Sequence, residues 1–274
     1  MNTKKILAVM TCYNRMHKTI NSIKRLTDNP DVSLSFVVVD DNSNDGTKEA
    51  LHSLQSRYDI HIINGNGSLF YTGGMRKGLD YILNNEENYN YILLCNDDVE
   101  FYPGAITRIV KESEEKKAVI VGVCCSNKGN MTYSAVSYRK GLRIQYTRLP
   151  LASDTSADTF CANCVLIPKH VFLSVGNMDS HYSHSFGDFD YGFMIRTKGY
   201  NIFTSSSYVG ICEWNSRENT WRDKKLSRVD RIRKKESIKG LPYKEWFYFL
   251  YKNFGLSKAV LFSITPYLRI ILKR

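Results

Sequence analysis

Short apolar runs alternate with stretches of helical periodicity over the first 125 residues of the chain. The runs that predict strands occupy residues 5–10, 34–40, 60–64, 91–96 and 119–124. Between them, apolar residues recur at helical spacing in residues 16–26, 46–58, 74–83 and 103–114. Continuously apolar strands separated by helices predict an α/β fold with a mostly parallel central sheet flanked by helices on both faces. No apolar run approaches the roughly 20 residues that would cross a bilayer.

Polar side chains follow three of these strands, at the point where each strand ends. They are Thr11, Tyr13, Asn14 and Arg15 after the first strand, Asp40 and Asp41 after the second, and Asn96, Asp97 and Asp98 after the fourth. Ligands of parallel sheets bind beyond the carboxyl ends of the strands, so these side chains indicate a binding site. Adjacent carboxylates repel each other unless a cation or hydrogen-bond donors lie nearby. A single carboxylate that caps a helix needs no such cation, so helix capping explains the paired carboxylates poorly. The pattern therefore favours Mn²⁺ or Mg²⁺ held jointly by the protein and the phosphates of a nucleotide.

The spacing of glycine and cysteine disfavours several other sites. The glycines of residues 65–74 neither follow the first strand nor have the spacing of a dinucleotide-binding loop, and the chain has no P-loop motif. Cys161 and Cys164 form a single C-x-x-C, which is more typical of a buried structural pair than of a zinc site. Seven cysteines, an odd number, and an N-terminal apolar run too short for a secretory signal predict a cytoplasmic protein with reduced thiols.

The charge of the chain is concentrated in one segment. Residues 1–215 carry 22 basic and 22 acidic side chains, whereas residues 216–274 carry 16 basic and 5 acidic ones, which account for the whole net charge of +11. Aromatic and apolar residues accompany these charges in residues 246–251 and 260–272, as in helices that lie on anionic lipid. The alternatives are a solvated helix pair, packing on the rest of the chain, or a homodimer contact. Nucleic acid is disfavoured, because no helix-turn-helix or RNP-like pattern is present.

Four segments resemble the successive motifs of the inverting family-two glycosyltransferases, which have the GT-A fold. They are residues 6–15 (ILAVMTCYNR), 36–47 (FVVVDDNSNDGT), 92–99 (ILLCNDDV) and 186–199 (FGDFDYGFMIRTKG). Residues 65–78 (GNGSLFYTGGMRKG) are similar to the glycine-rich donor loop of members that build bacterial surface polysaccharides, including rhamnosyltransferase-like ones. The resemblance covers roughly residues 5–215, and the combination of motifs is more specific than each motif alone.

This resemblance implies a role for each matching residue. The nucleotide-sugar contacts would be Thr11, Tyr13, Asn14, Arg15, Asp40, Asp41, Gly74, Arg76, Asn96 and Asp97, with Arg76 on the pyrophosphate. Asp98 would hold the metal ion, while Asn96 replaces the first Asp of the family's DxD motif. The family often supplies a further His ligand, for which Cys212 and Glu213 are imperfect substitutes here. Asp188 would be the catalytic base, and Asp190 the second acid that orients the acceptor or the loop.

The chemistry requires few residues. In an inverting transfer one carboxylate takes the proton of the acceptor hydroxyl, and a metal ion stabilises the leaving diphosphate, so no protein acid is obligatory. Tyr71, residues 161–163 and Asp97 are candidates for the sugar pocket, and Trp214 could stack on a sugar or belong to the core.

The predicted organisation has three parts. Residues 1–125 form the nucleotide-sugar-binding half of one domain, residues 126–215 its acceptor-binding and catalytic-base half, and residues 216–274 a basic, aromatic helical extension. The predicted function is transfer of a sugar from a UDP- or dTDP-sugar to a glycan or lipid-linked oligosaccharide in bacterial surface polysaccharide or glycoconjugate synthesis. The predicted location is cytoplasmic, peripheral on the inner face of the cell membrane. The alternatives are a catalytically degenerate partner subunit and a nucleotidyltransferase that makes sugar nucleotides.

Overall fold

The computed structural model describes residues 3–85, 88–139, 141 and 143–272, and these residues form thirteen strands and ten helices. The strands are β1 (Lys4–Cys12), β2 (Val32–Asp40), β3 (Ile60–Asn64), β4 (Tyr91–Cys95), β5 (Glu100–Phe101), β6 (Val119–Val121), β7 (Cys124–Cys125), β8 (Ala135–Arg139), β9 (Gln145–Arg148), β10 (Thr159–Phe160), β11 (Cys164–Pro168), β12 (Ile202–Thr204) and β13 (Gly210–Ile211). The helices are α1 (Met16–Leu26), α2 (Thr47–Leu54), α3 (Phe70–Asn84), α4 (Ala105–Lys116), α5 (Lys169–Val175), α6 (Gly187–Thr197), α7 (Arg228–Glu236), α8 (Tyr243–Phe254), α9 (Leu256–Ser263) and α10 (Thr265–Ile271).

A seven-stranded sheet forms the centre of the molecule, with the strand order β12-β6-β11-β4-β1-β2-β3. Only β11 runs antiparallel to its neighbours β4 and β6, and the other pairs are parallel. The predicted α/β fold with a mostly parallel sheet is therefore confirmed. Two three-stranded sheets, β10-β8-β9 and β5-β13-β7, lie beside the central one.

Residues 6–10, 36–39 and 92–95 of the central strands are apolar because both of their faces are buried. On β1, Ile6 and Ala8 face a core covered by α1, α2 and α4, whereas Leu7 and Val9 face a second core covered by α3, α5 and α6. Every residue of β4 is buried. Polar side chains of β1 and β2 lie toward the strand ends, as Thr11 and Asp40 do, and further ones follow in the loops.

Several element boundaries differ from the predicted ones. Helix α3 begins at Phe70 instead of residue 74, because Gly74 lies inside the helix where it crosses β1. A Cβ on Gly74 would lie 2.2 Å from Thr11 Oγ1, so glycine permits this close packing of helix on strand. The predicted strand 119–124 is divided: β6 belongs to the central sheet, and after Gly122 the chain continues as β7 in a different sheet.

The C-terminal extension folds into helices α7 to α10. Helix α8 packs on α6 through the buried side chains of Phe249 and Leu250, and the rings of Phe186 and Phe249 stack with their centroids 4.8 Å apart. This part of the extension therefore follows the packing alternative. Helices α9 and α10 pack on α8 and α7 and expose apolar side chains on their outer face. In the described part of the chain, every helix is too short or too polar to cross a membrane.

Candidate active site

A cavity of about 680 Å³ opens at the carboxyl ends of β1 and β4. Its wall includes the loops after these strands, the segments around residues 161–163 and 184–189, and the extension at residues 221–222 and 239–241. Asp41 and residues 67, 70 and 71 also line it, as do residues 133 and 215. Eight of the predicted site residues line it. They are Thr11, Tyr13, Arg15, Asp41, Asn96, Asp97, Asp98 and Asp188.

One guanidinium group lies between the two adjacent carboxylates that follow β4. Arg15 Nη1 donates to Asp97 Oδ1 and to Asp98 Oδ2, each at 3.0 Å. Burial raises the pKa of Asp97 to about 6, although Arg15 opposes the shift. Arg15 is thus the positive partner that the adjacent carboxylates Asp97 and Asp98 require. The two carboxylates carry more negative charge than Arg15 neutralises, so Asp98 can also attract a metal cation.

The donor groups around Asp98 fit a divalent ion that is shared with a substrate. The buried Asn96 Oδ1 has no hydrogen-bond partner among the described residues, and oxygen is the ligand that Mg²⁺ and Mn²⁺ prefer. The described residues contain no group of three His, Cys, Asp or Glu side chains placed to hold a metal by themselves. Such ions usually bind one or two carboxylates together with substrate phosphates, so the residues fit this mode of binding.

The two residues considered as substitutes for a metal-ligating His behave differently. Cys212 Sγ lies 3.7 Å from Asp98 Oδ1, and burial, with Asp98 nearby, raises the pKa of this thiol to about 12. Cys212 is therefore a protonated thiol that donates to Asp98. Glu213 turns away and accepts from the backbone N–H of Asn127 at 2.7 Å.

Asp188 also lines the cavity, in the first turn of α6. Its Oδ2 accepts from the backbone N–H of Ala162 at 3.1 Å, which holds the carboxylate against the loop 161–163. Burial raises its pKa to about 6, against the lowering effect of backbone hydrogen bonds. A carboxyl group with a pKa near neutrality is suited to general base catalysis.

The turn before α6 directs Asp188 toward the cavity. Phe186 adopts the left-handed conformation, with φ of 67°, and its ring is held by stacking on Trp246 and Phe249 of α8. A Cβ on Gly187 would lie 2.1 Å from Thr72 Cγ2, so this position is closed to any side chain. The extension therefore helps to fix the orientation of Asp188.

Asp190 does not reach the cavity, although the resemblance implied an acceptor-orienting role. It is fully buried, and its carboxylate accepts from Lys252 Nζ at 2.7 Å, Asn253 Nδ2 at 3.0 Å and the Tyr182 hydroxyl at 3.2 Å. Lys252 also binds Asp179 at 2.7 Å. In this structure Asp190 joins α6 to α8 and acts at a distance from any ligand in the cavity.

Four other predicted residues also lie outside the cavity wall, each for a local reason. Arg76 Nη1 donates to the carbonyl of Tyr182 at 3.1 Å, and Gly74 packs against Thr11. Asp40 and Asn14 cap turns: Asp40 Oδ1 accepts from the N–H of Ser43 at 3.0 Å, and Asn14 Oδ1 accepts from the N–H of Asn44 at 2.8 Å. These residues shape the loops that carry the lining side chains.

Asp41 both lines the cavity and organises the glycine-rich loop. Its carboxylate accepts three backbone N–H groups, from Gly67 at 2.8 Å, Leu69 at 2.9 Å and Phe70 at 3.1 Å. These bonds satisfy free N–H groups at the start of α3. Asp41 thus fixes the loop whose sequence resembled a donor loop.

The extension supplies cavity residues that the sequence analysis did not identify. Arg222 and Lys239 lie on the wall, and neither side chain forms an ion pair within the described residues. The charge of Lys239 acts on the cavity, because burial, Lys239 and Arg15 together lower the pKa of the lining residue His184 to about 4. The excess of basic residues after residue 216 was visible in the sequence, but it did not reveal which of them fold back over the site.

Trp214 lies outside the main cavity, on the wall of a second cavity of about 230 Å³ that shares Asp98 with it. The indole is held by Tyr133, with ring centroids 4.8 Å apart, and by the Arg148 guanidinium, 4.4 Å from the ring. Its two neighbours make it a partly packed residue with an exposed edge.

A mostly parallel sheet, with paired carboxylates at the strand ends and a third carboxylate lining the same cavity, is the arrangement of a GT-A type glycosyltransferase fold. Residues 7–176 match the family model described as glycosyl transferase family 2, and the chain belongs to that family. The family resemblance predicted from the sequence is therefore confirmed. The matched region ends before Asp188, so the assignment of this residue depends on its position in the cavity.

Two known proteins illustrate the relationship. The chain is 27% identical over 131 residues to a GalNAc(5)-diNAcBac-PP-undecaprenol beta-1,3-glucosyltransferase of Campylobacter jejuni, a match that covers 47% of this chain and 41% of the relative. The chain thus spans less than half the length of that relative. A mannosyltransferase from Pyrobaculum calidifontis, solved in complex with GDP-Man and Mn²⁺, has the same fold, with a TM-score of 0.61 and 11% identity over 97% of this chain and 68% of its own.

Proposed function

We propose that this protein transfers a sugar from a UDP- or dTDP-sugar to a hydroxyl group of a glycan or lipid-linked acceptor, with inversion at the anomeric carbon. The observation that carries the proposal is that Asp188 lines the same cavity as the pair Asp97 and Asp98. A donor with its diphosphate near Asp98 would extend its anomeric carbon toward Asp188.

The reaction requires one proton transfer. Asp188 takes the proton of the acceptor hydroxyl while the acceptor oxygen bonds to the anomeric carbon from the face opposite the diphosphate. The bond from that carbon to the diphosphate oxygen breaks, and the electron pair leaves with the nucleoside diphosphate. The raised pKa of Asp188 makes it a stronger base than an ordinary carboxylate.

The donor would lie along the strand ends. Tyr13 and Asp41 line the part of the cavity assigned to the nucleoside, while Arg222 and Lys239 supply positive charge to the diphosphate in place of Arg76. Asp98 would hold Mn²⁺ or Mg²⁺ together with the diphosphate. When bound, the ion stabilises the negative charge that develops on the leaving group.

The acceptor is proposed to be lipid-linked. The Campylobacter jejuni relative is named for an undecaprenol-linked acceptor, which supports this choice for a family member with an exposed apolar surface. That surface, here called the outer face, consists of Leu256, Val260, Leu261, Ile264, Leu268 and Ile271 on and between α9 and α10, with exposed fractions between 48% and 62%. Lys258 and Arg269 lie on the same helices. Apolar side chains bordered by basic ones favour peripheral attachment to an anionic membrane.

The transferase activity is tested by incubating the protein with Mn²⁺, a panel of nucleotide sugars and lipid-linked oligosaccharide acceptors. We expect release of UDP or dTDP that depends on the acceptor. A degenerate partner subunit would release neither, although it could still bind the donor. A nucleotidyltransferase would instead form the sugar nucleotide from a nucleoside triphosphate and a sugar phosphate.

Replacing both Leu261 and Leu268 by Glu should detach the protein from vesicles of phosphatidylglycerol and phosphatidylethanolamine. Each substitution removes the apolar contact of a leucine side chain and adds a negative charge that the anionic lipid repels. We therefore expect the partition coefficient in cosedimentation to fall at least about tenfold. The matched control is Leu173→Glu, because Leu173 is 55% exposed but lies on α5, outside the extension.

Vesicle binding by the unaltered protein should also weaken as the salt concentration rises, since part of the attraction is electrostatic. If the unaltered protein does not bind vesicles, and Leu261→Glu/Leu268→Glu instead converts a dimer into a monomer in sedimentation velocity, the outer face is a contact between two copies.

A further inference from the structure

Two residues that line the main cavity each have a buried polar atom with no hydrogen-bond partner among the described residues. They are Tyr71, through its hydroxyl, and Asn96, through Oδ1, and these are two of only six such side-chain atoms in that part of the chain. Buried polar groups of folded proteins are nearly always hydrogen-bonded, so an unpaired hydroxyl on a residue that lines a binding cavity points to a partner that a ligand brings.

Tyr71 lies within electrostatic reach of both Asp98 and Asp188. It belongs to the first turn of α3, where its backbone N–H approaches His184 Nδ1 at 3.4 Å. Burial raises the pKa of the phenol well above its usual value, and the negative charges of Asp188 and Asp98 contribute to the shift. The hydroxyl therefore stays protonated, and both carboxylates lie close enough to act on it.

The proposed reaction determines what occupies that position. The diphosphate lies toward Asp98, and the attacked carbon lies toward Asp188, so the ring of the transferred sugar is the part of the donor between them. A sugar ring carries hydroxyl or acetamido groups, which can accept a hydrogen bond from a phenol.

We infer that Tyr71 is a specificity-determining residue, whose hydroxyl donates to a ring substituent of the transferred sugar. This inference rests on the proposed function, because it assumes that a nucleotide sugar occupies the cavity. A site that pairs a buried polar group with a substrate hydroxyl discriminates strongly against sugars that lack it, since the buried group is then left unpaired.

The melting temperature of Tyr71→Phe distinguishes this inference from a purely structural role of the hydroxyl. If the hydroxyl has no partner in the protein, removing it should leave the melting temperature of the free protein unchanged or raised, whereas loss of a structural hydrogen bond would lower it. Tyr191 provides the matched control, because it is buried but lines neither cavity, and its hydroxyl donates to the carbonyl of Gly176 at 2.7 Å. Tyr191→Phe removes a hydroxyl that is already paired outside the cavity, so it should not change recognition of the sugar.

The experiment compares each nucleotide sugar with its free nucleoside diphosphate. The Kd values for UDP-glucose, UDP-galactose, UDP-N-acetylglucosamine, dTDP-rhamnose, UDP and dTDP are measured by calorimetry with Mn²⁺ for the wild type, Tyr71→Phe and Tyr191→Phe. For the best donor we expect Tyr71→Phe to weaken binding about tenfold while the Kd of the free nucleoside diphosphate stays within about twofold. A deoxy analogue that lacks the recognised hydroxyl should bind the wild type and Tyr71→Phe equally.

The outcomes separate the two claims. If the wild type binds none of the nucleotides or nucleotide sugars, the proposed function and the inference both fail. If the wild type binds a donor but Tyr71→Phe keeps the same ratio between nucleotide sugar and nucleoside diphosphate, the inference is overturned and the function stands. Loss of folding in Tyr71→Phe would show that the hydroxyl is needed within the protein, and this result would overturn the inference as well.

Discussion

Replacing Asp188 by Asn is expected to lower kcat by about 10²–10⁴, the usual contribution of a general base, while the Kd for UDP or dTDP stays unchanged. The nucleotide is proposed to lie at the strand ends, whereas the Asp188 carboxylate accepts from the backbone N–H groups of Ala162 and Phe189. The amide of Asn can keep the hydrogen bond from the Ala162 N–H but cannot take a proton. Steady-state kinetics together with calorimetry of the nucleoside diphosphate measures both quantities.

The pH dependence of the reaction provides a second measurement on Asp188. Its pKa is raised to about 6, so activity should rise with pH as the carboxylate loses its proton around that value. Burial also raises the pKa of Asp97 to about 6, but only the limb that belongs to Asp188 disappears in Asp188→Asn. An unchanged acid limb and near wild-type turnover would show that another group takes the proton.

Asp188→Asn should also stabilise the fold at neutral pH. The pKa of Asp188 is raised in the folded state, so the free energy of unfolding falls as the pH rises from about 4 to 6 and the buried group becomes charged. Above pH 6 the variant avoids this cost and should be more stable by about 1–2 kcal/mol, allowing for the partial exposure of the side chain. Below about pH 4 the two proteins should be equally stable. A residue that lowers stability but raises activity is common in catalytic sites.

Asp98→Ala should abolish the effect of Mn²⁺ on donor binding while the protein stays folded. Asp98 lies on the loop after β4, outside the hydrophobic cores, and it is the carboxylate that the site offers to a divalent ion. Calorimetry of UDP with and without Mn²⁺ should show at least about a tenfold difference in Kd for the wild type and no difference for the variant.

The control for this experiment is Glu100→Ala, which removes a nearby exposed carboxylate that lines the second cavity but not the main one. It should keep the dependence on Mn²⁺. Arg15 loses one of its two carboxylate partners in Asp98→Ala and becomes freer to meet the diphosphate, so binding of UDP without metal should not weaken. If Asp98→Ala retains the effect of Mn²⁺, the ion is held elsewhere.

The sequence was sufficient to predict the sheet and the residues at its strand ends. Strand segments buried on both faces are continuously apolar, and this pattern distinguishes residues 36–39 and 91–95 from helices. The parallel arrangement then brings the residues after β1 and β4 to one edge, which is why Arg15, Asp97 and Asp98 could be expected together.

The sequence could not assign the roles of residues whose side-chain orientation depends on partners far away along the chain. Arg76 follows two glycines like a phosphate-binding residue, yet it binds the carbonyl of Tyr182, 106 positions away. Asp190 occupies a motif position next to the base, but its charge is directed to Lys252 on α8. Lys239 reaches the cavity only because the extension folds back over it. None of these contacts leaves a local pattern of spacing or hydrophobicity.

The link between Asp190 and α8 bears on the order in which a newly made chain becomes competent. The carboxylate of Asp190 is buried on α6, and the side chains that neutralise and bind it, Lys252 and Asn253, are synthesised 62 and 63 residues later. Until α8 has emerged from the ribosome, only the Tyr182 hydroxyl is available to this charge, and a buried carboxylate without a cation strongly destabilises its surroundings. We therefore expect helix α6, which carries Asp188, to become stably folded only late in synthesis. Nascent chains that have not reached α8 would lack an ordered base, so they would not consume donor before α8 has formed.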